Sequence, residues 1–196
     1  MIHAFHFENG KISYRNRWVQ TSKWKQERTA GRALVNSLNP MEPDPIFNFE
    51  GEDGTANTNI IFHANKLLAL EEGHPPFELD PMTLESKGSW DYQGKLHSAM
   101  TAHPKIDPET GELHGFGYMT DHFGSKTMTY HVIDRNGQML RSDVFEAPYA
   151  AMVHDFMSTR DYVIFPLFPL TCDLDRVAKF GFPFAFDRSA GAYIGG

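Results

Sequence analysis

TMTYHVIDRNGQMLRSDVF, residues 127–145, alternates apolar and polar side chains on both sides of Asn136-Gly137. Successive side chains of an extended chain point to opposite faces, so this alternation predicts two half-buried strands. The Asn-Gly pair between them tolerates the positive φ of a tight hairpin turn. The same reading recurs along the chain. IHAFHF and KISYRNRWV flank Glu8-Asn9-Gly10, NIIFHANKLLALEEG reads as two strands around Ala64-Asn65, and PKIDPETGELHGFGY as two around residues 108–111. A fifth pair is expected in MVHDFMSTRDYVIFPLF, around the polar residues 158–161. Hairpin following hairpin predicts an all-β chain built of repeated four-stranded sheets, part of a β-propeller, with a β-sandwich as the competing arrangement. One short helix is expected in TSKWKQERTAGRAL, from Thr21, where capping residues precede strong helix formers. NPMEPDP, residues 39–45, is expected to be a rigid loop, since its three prolines exclude a central strand.

The totals agree with such a chain. Of 196 residues, 41% are hydrophobic and 22% charged, the balance of a globular protein rather than a disordered one. Sixteen phenylalanines supply bulky side chains suited to pleated surfaces and to an apolar cavity. Residues 1–196 are read as a single partial domain, because the sequence begins inside a strand-like run and ends at GAYIGG with no evident capping element. The ring is therefore expected to be incomplete. A formal charge of −7 with no Lys/Arg run argues against nucleic acid as a partner. Cys172 is the lone cysteine and cannot form an internal disulfide, which suits a reducing compartment, and its simplest role is a small buried hydrophobe. No apolar run reaches transmembrane length, and MIHAFHFENG alternates like a strand instead of a signal sequence, so a cytoplasmic location is expected.

Ten histidines make a metal site conceivable. For His3, His6, His63, His97, His114, His122 and His131 the expected role is a half-buried polar side chain, and His74 reads as a loop residue. His103 differs because Pro104 confines it to extended geometry at the head of a hairpin, so its ring is aimed by the chain itself. His154 differs because it interrupts the apolar run AAMVHDF, where a polar ring needs a partner. No close metal signature is present, neither His-x-x-x-His, Glu-x-x-His nor Cys-x-x-Cys. Wide spacing is nevertheless what a propeller produces, since its ligands come from different blades converging on one axis.

ANTNIIFHANKLLALEEG, PFELDPMTLES, GKLHSAMTAHPKIDPETGELHGFGY and YAAMVHDF together resemble the carotenoid cleavage oxygenases, the family that includes bacterial stilbene-cleaving dioxygenases. The resemblance implies a seven-bladed propeller with Fe(II) on its axis, held by four histidines. His103 and His154 match the first two, and the other two would belong to segments beyond Gly196, so the chain is expected to be a fragment. Glu72 matches a glutamate that accepts a hydrogen bond from the second histidine, although by itself the Glu71/Glu72 pair reads as a solvated turn. Thr58 matches a threonine whose methyl group crowds an open iron position, and by itself is a β-branched strand residue.

The implied reaction is cleavage of a carbon–carbon double bond in a small, apolar, conjugated substrate. Both atoms of O2 are delivered, giving two carbonyl products. Stilbene-cleaving members hold a phenol oxygen with a tyrosine and a lysine where this chain has Ser37 and Glu71, which leaves an apocarotenoid or another aryl-alkene as the expected substrate. The alternative is a propeller-like binding or scaffold protein without catalysis, and the oligomeric state is open.

Overall fold

The computed structural model describes residues 1–36, 43–51 and 53–195. Ser37 and the first four residues of NPMEPDP lie outside the described residues. Strands dominate, as the alternation predicts. A hairpin of β1 (Ile2–Glu8) and β2 (Lys11–Arg17) leads into helix α1 (Ser22–Ala30). A four-stranded antiparallel meander follows: β3 (Asn59–His63), β4 (Lys66–Leu70), β5 (Phe77–Leu79) and β6 (Ser86–Ser89). A second meander comprises β7 (Lys105–Ile106), β8 (Leu113–Tyr118), β9 (Thr127–Ile133) and β10 (Met139–Glu146). Then come β11 (Met157–Ser158), β12 (Val163–Leu167), β13 (Leu170–Cys172), α2 (Leu174–Phe180), β14 (Phe184–Phe186) and β15 (Tyr193–Gly195), with β12 pairing both β11 and β15 and β13 pairing β14.

The turns show how local chemistry sets register. Asn9 and Gly10 both take positive φ, 49° and 72°, the two-residue turn whose twist matches its strands. Ala64 and Asn65 adopt the same conformation, at 50° and 60°. Asn136-Gly137 behaves differently: only Gly137 is left-handed, at 85°, inside a five-residue connection closed by Asp134, and a register shift follows between Met139 and Arg141. The Asp134 carboxylate explains the difference, since it accepts from the N–H groups of Asn136 and Gln138 and thereby opens the loop beyond two residues.

α1 begins where expected, with the Thr21 hydroxyl accepting from Trp24 N–H and Gly31 ending it at φ 68°. The expectation of one helix is corrected by α2. Its signals are present in the sequence, Asp173 as the cap accepting from Asp175 N–H and Gly181 at φ 69° as the stop, but seven residues give little helical period to read. Cys172 is half-buried beside it, and burial pushes its thiol up.

Each meander buries both faces. Leu68 and Leu70 of β4 meet Leu113, Ile133 and Met139 of the second meander, with Tyr92, Leu96, Met100 and Ala102 of the connecting segment between them. On the opposite face of the second meander, Phe116, Met128 and Tyr130 pack on Val153, Phe156, Phe165 and Leu167. β8 thus sends Leu113, Gly115 and Gly117 to one side and Phe116 and Tyr118 to the other. A fully buried side chain of this kind contributes roughly 1.5–3 kcal/mol, so the stacking of sheet on sheet holds the whole in place.

Candidate metal site

His103 lies two residues before β7 and His154 three before β11, so neither is in a strand. The approach to His103 is held at several points. Thr101 N–H donates to the Phe116 carbonyl at 2.6 Å, and His103 N–H donates to the Thr101 hydroxyl at 3.0 Å. The Asn59 amide donates to the Ala102 carbonyl at 2.9 Å. The segment can lie this close to β8 only because that strand carries glycine: a Cβ on Gly117 would meet the Ala99 carbonyl oxygen at 2.4 Å, and one on Gly115 would meet the Met100 sulfur at 3.1 Å. Pro104 then fixes the exit.

His154 is held from its two flanks. Val153 and Phe156 are both 2% exposed and anchor the segment in the core, which leaves the ring between them 61% exposed. It was expected within an apolar strand; it sits instead in an irregular link, where the backbone can turn one side chain outward between two buried neighbours. Lys105 Nζ donates to Asp155 Oδ1 at 2.7 Å and so ties the segment after His103 to the segment after His154. Partial burial pushes the Asp155 carboxyl up, but the Lys105 ammonium and the Phe156 N–H outweigh it and hold the group below the ordinary carboxylate value.

These supports bring the two rings together. His103 Nε2 and His154 Nε2 are 3.1 Å apart, with ring centroids at 4.6 Å and planes inclined by 64°. Behind His154, its Nδ1 is paired with Oε1 of Glu72, a side chain only 16% exposed. Glu72 follows β4 in the same turn as Glu71, which is paired with His74, so Glu71 is engaged locally. The other oxygen of Glu72 accepts from the Tyr118 hydroxyl at 2.8 Å. Burial, with the Glu72 charge adding to it, pushes the Tyr118 phenol far up, so it is a permanent donor.

The donor set fits a divalent metal ion. Two nitrogens in neighbouring positions around one ion lie about 3 Å apart when metal–nitrogen bonds are about 2.1 Å long and at right angles, which is the separation seen. A carboxylate against Nδ1 keeps the proton there and leaves the Nε2 lone pair facing His103. Among the described residues, Glu72, His103 and His154 are the one group of three His, Cys, Asp or Glu side chains whose ligand atoms lie within 4.8 Å of one another.

Thr58 immediately precedes β3. Its N–H donates to Leu70 O at 3.0 Å and its hydroxyl to Asn57 Oδ1 at 3.1 Å, and it lines a cavity of about 510 Å3 between β1 and the first meander. Asn59 and Tyr118, which support His103 and Glu72, were missed by sequence reasoning. Their partners are 43 and 46 residues away, and no local pattern marks them. His131 and His63, expected to be half-buried, are 1% and 6% exposed. Among the described residues, no helix is long and apolar enough to cross a membrane.

The profile of the family described as retinal pigment epithelial membrane protein matches residues 1–195. Isoeugenol monooxygenase of Pseudomonas putida is 42% identical over 195 residues, which are 98% of this chain and 40% of that protein. The crystal structure of Pseudomonas brassicacearum lignostilbene dioxygenase superposes with a TM-score of 0.88 at 42% identity, covering 94% of this chain and 38% of that one. That of cobalt-substituted Synechocystis apocarotenoid oxygenase gives 0.77 at 26% identity, covering 98% and 43%. The chain thus spans about two fifths of the length of the curated relatives it matches, and its two meanders are part of a propeller rather than a sandwich or closed barrel. By sequence profile, by relatives and by fold, it belongs to the retinal pigment epithelial membrane protein family, that of the carotenoid cleavage oxygenases.

Proposed function

We propose that this chain carries half of the iron site of an oxygenase that cleaves the double bond of an aryl-alkene. The observation that carries the reading is the meeting of two imidazole Nε2 atoms, 51 residues apart in sequence, at 3.1 Å. His103 and His154 would hold Fe(II), and imidazole is a ligand suited to that metal. Iron bound there supplies the activation of O2 for addition across the alkene, whose two carbons leave as carbonyls.

The protein's share is positional. Glu72 keeps the His154 proton on Nδ1, so that the Nε2 lone pair is always the one presented. The Lys105–Asp155 bridge and the Asn59 amide keep the histidine segments in register. Thr58 would limit access to an open iron position with its methyl group, as the resemblance to the family implies. An aryl-alkene is favoured over an apocarotenoid because the relatives named for isoeugenol and lignostilbene are 42% identical to this chain, against 27% for the apocarotenoid oxygenase.

The test uses the full-length protein. Iron content near one per chain is expected, falling at least tenfold in His103→Ala and in His154→Ala, together with O2-dependent formation of two carbonyl products from an aryl-alkene. Both product oxygens should come from 18O2. Iron that survives loss of both histidines rejects the assignment. Incorporation of a single 18O favours the monooxygenase outcome named for the Pseudomonas putida relative.

A further inference from the structure

We infer that Tyr118 is a positioning residue for the metal site, the last member of a relay Tyr118–Glu72–His154. The inference rests on the proposed metal reading and extends it to a residue that touches neither the metal ligands nor the substrate. The two oxygens of Glu72 are used separately, Oε1 against His154 Nδ1 and Oε2 accepting from Tyr118 at 2.8 Å. A carboxylate with one strong donor can rotate about its terminal torsion, because that torsion is broad. A second donor on the opposite oxygen removes the freedom. Tyr118 is itself fixed: it ends β8, its strand partner is Met128, and it packs against the buried cluster that includes Phe116 and Phe156.

Chemistry defines the tyrosine's part as well as geometry. Held neutral by its surroundings, the phenol donates at every working pH and withdraws charge from Glu72. The same β8 that supplies Tyr118 also takes the N–H of Thr101 on its Phe116 carbonyl, so one strand governs the approach to both histidines.

The test is a double-mutant cycle on metal affinity, with cobalt(II) as the probe in the full-length protein. Cobalt is titrated against a chelator, its visible absorption is recorded, and thermal unfolding of the metal-free protein is measured in parallel. Tyr118→Phe keeps the ring and removes the hydroxyl; affinity should fall about tenfold, the lower end for partners of metal-ligating histidines, with a shifted cobalt spectrum. In a Glu72→Ala background the same change should have no further effect. Tyr118→Met, which deletes the hydroxyl with a different shape, should match Tyr118→Phe and stands in for it if that variant does not fold. Equal loss in both backgrounds, or no loss in a protein whose cobalt depends on both histidines, overturns the relay alone. Cobalt binding indifferent to His103→Ala and His154→Ala overturns the metal reading and the relay together.

Discussion

At the scale of the residue, burial decides what each titratable group does. His131 of β9 is 1% exposed, its Nε2 lies 3.2 Å from the Ser98 hydroxyl, and its Nδ1 has no partner among the described residues. Burial pulls its imidazole down to about 4, with Asp143 opposing weakly. The unfolded chain takes up this proton near pH 6.5 and the folded chain only near 4. Stability is therefore full above pH 6.5 and falls as the pH drops between those values, by on the order of 3 kcal/mol at most. Urea midpoints measured from pH 7.5 to 4.5 should decline along that limb, and His131→Leu should flatten it. An unchanged slope in the variant would assign the acid sensitivity to other groups.

At the scale of the element, the site depends on what a strand lacks. Gly117 has no side chain where the Ala99 carbonyl passes, so Gly117→Ala forces the 98–102 segment off β8. Overpacking of this sort costs about 1–3 kcal/mol, and the displaced segment carries His103 with it. Metal affinity should fall by more than the loss of stability explains, and Asn59→Ala should lower metal affinity while barely moving the unfolding midpoint. If both variants bind metal like the parent, the approach to His103 does not set its place. The elements themselves were legible because their causes are local. Period-two alternation, Asn9-Gly10 and the Pro104 constraint each act within a few residues. Glu72 could be singled out only through resemblance to a known family, since nothing nearby distinguishes it from a solvated turn, whereas His154 was marked by the apolar run it interrupts. Asn59 and Tyr118 were illegible for the opposite reason, as their partners arrive only once sheets stack. Helix α2 escaped because two caps seven residues apart carry too little periodicity.

At the scale of the whole molecule, two consequences follow from sheets stacked in sequence. The pair His103–His154 joins segments 51 residues apart, so it completes only after the second meander has folded, and long-range closure of this kind is slow. The hairpin of β1 and β2 pairs Phe5 with Tyr14 and Phe7 with Ile12, and these side chains are 51–70% exposed. Apolar cross-strand pairs facing water, on a strand edge, promote association. The 196-residue polypeptide by itself should bind a hydrophobic dye and sediment above monomer mass. Phe5→Thr with Phe7→Thr should reduce both signals, and a dye-silent monomer would show that the hairpin is covered in solution.

Lys105, two residues after His103, clasps Asp155, the residue after His154. An incoming cation would then find its nitrogens gathered beforehand rather than having to recruit them, so capture should proceed in one kinetic phase. Amide exchange around residues 103 and 154 should be about as slow before loading as after it, and severing the clasp should convert a ready-made socket into one that each ion must assemble for itself.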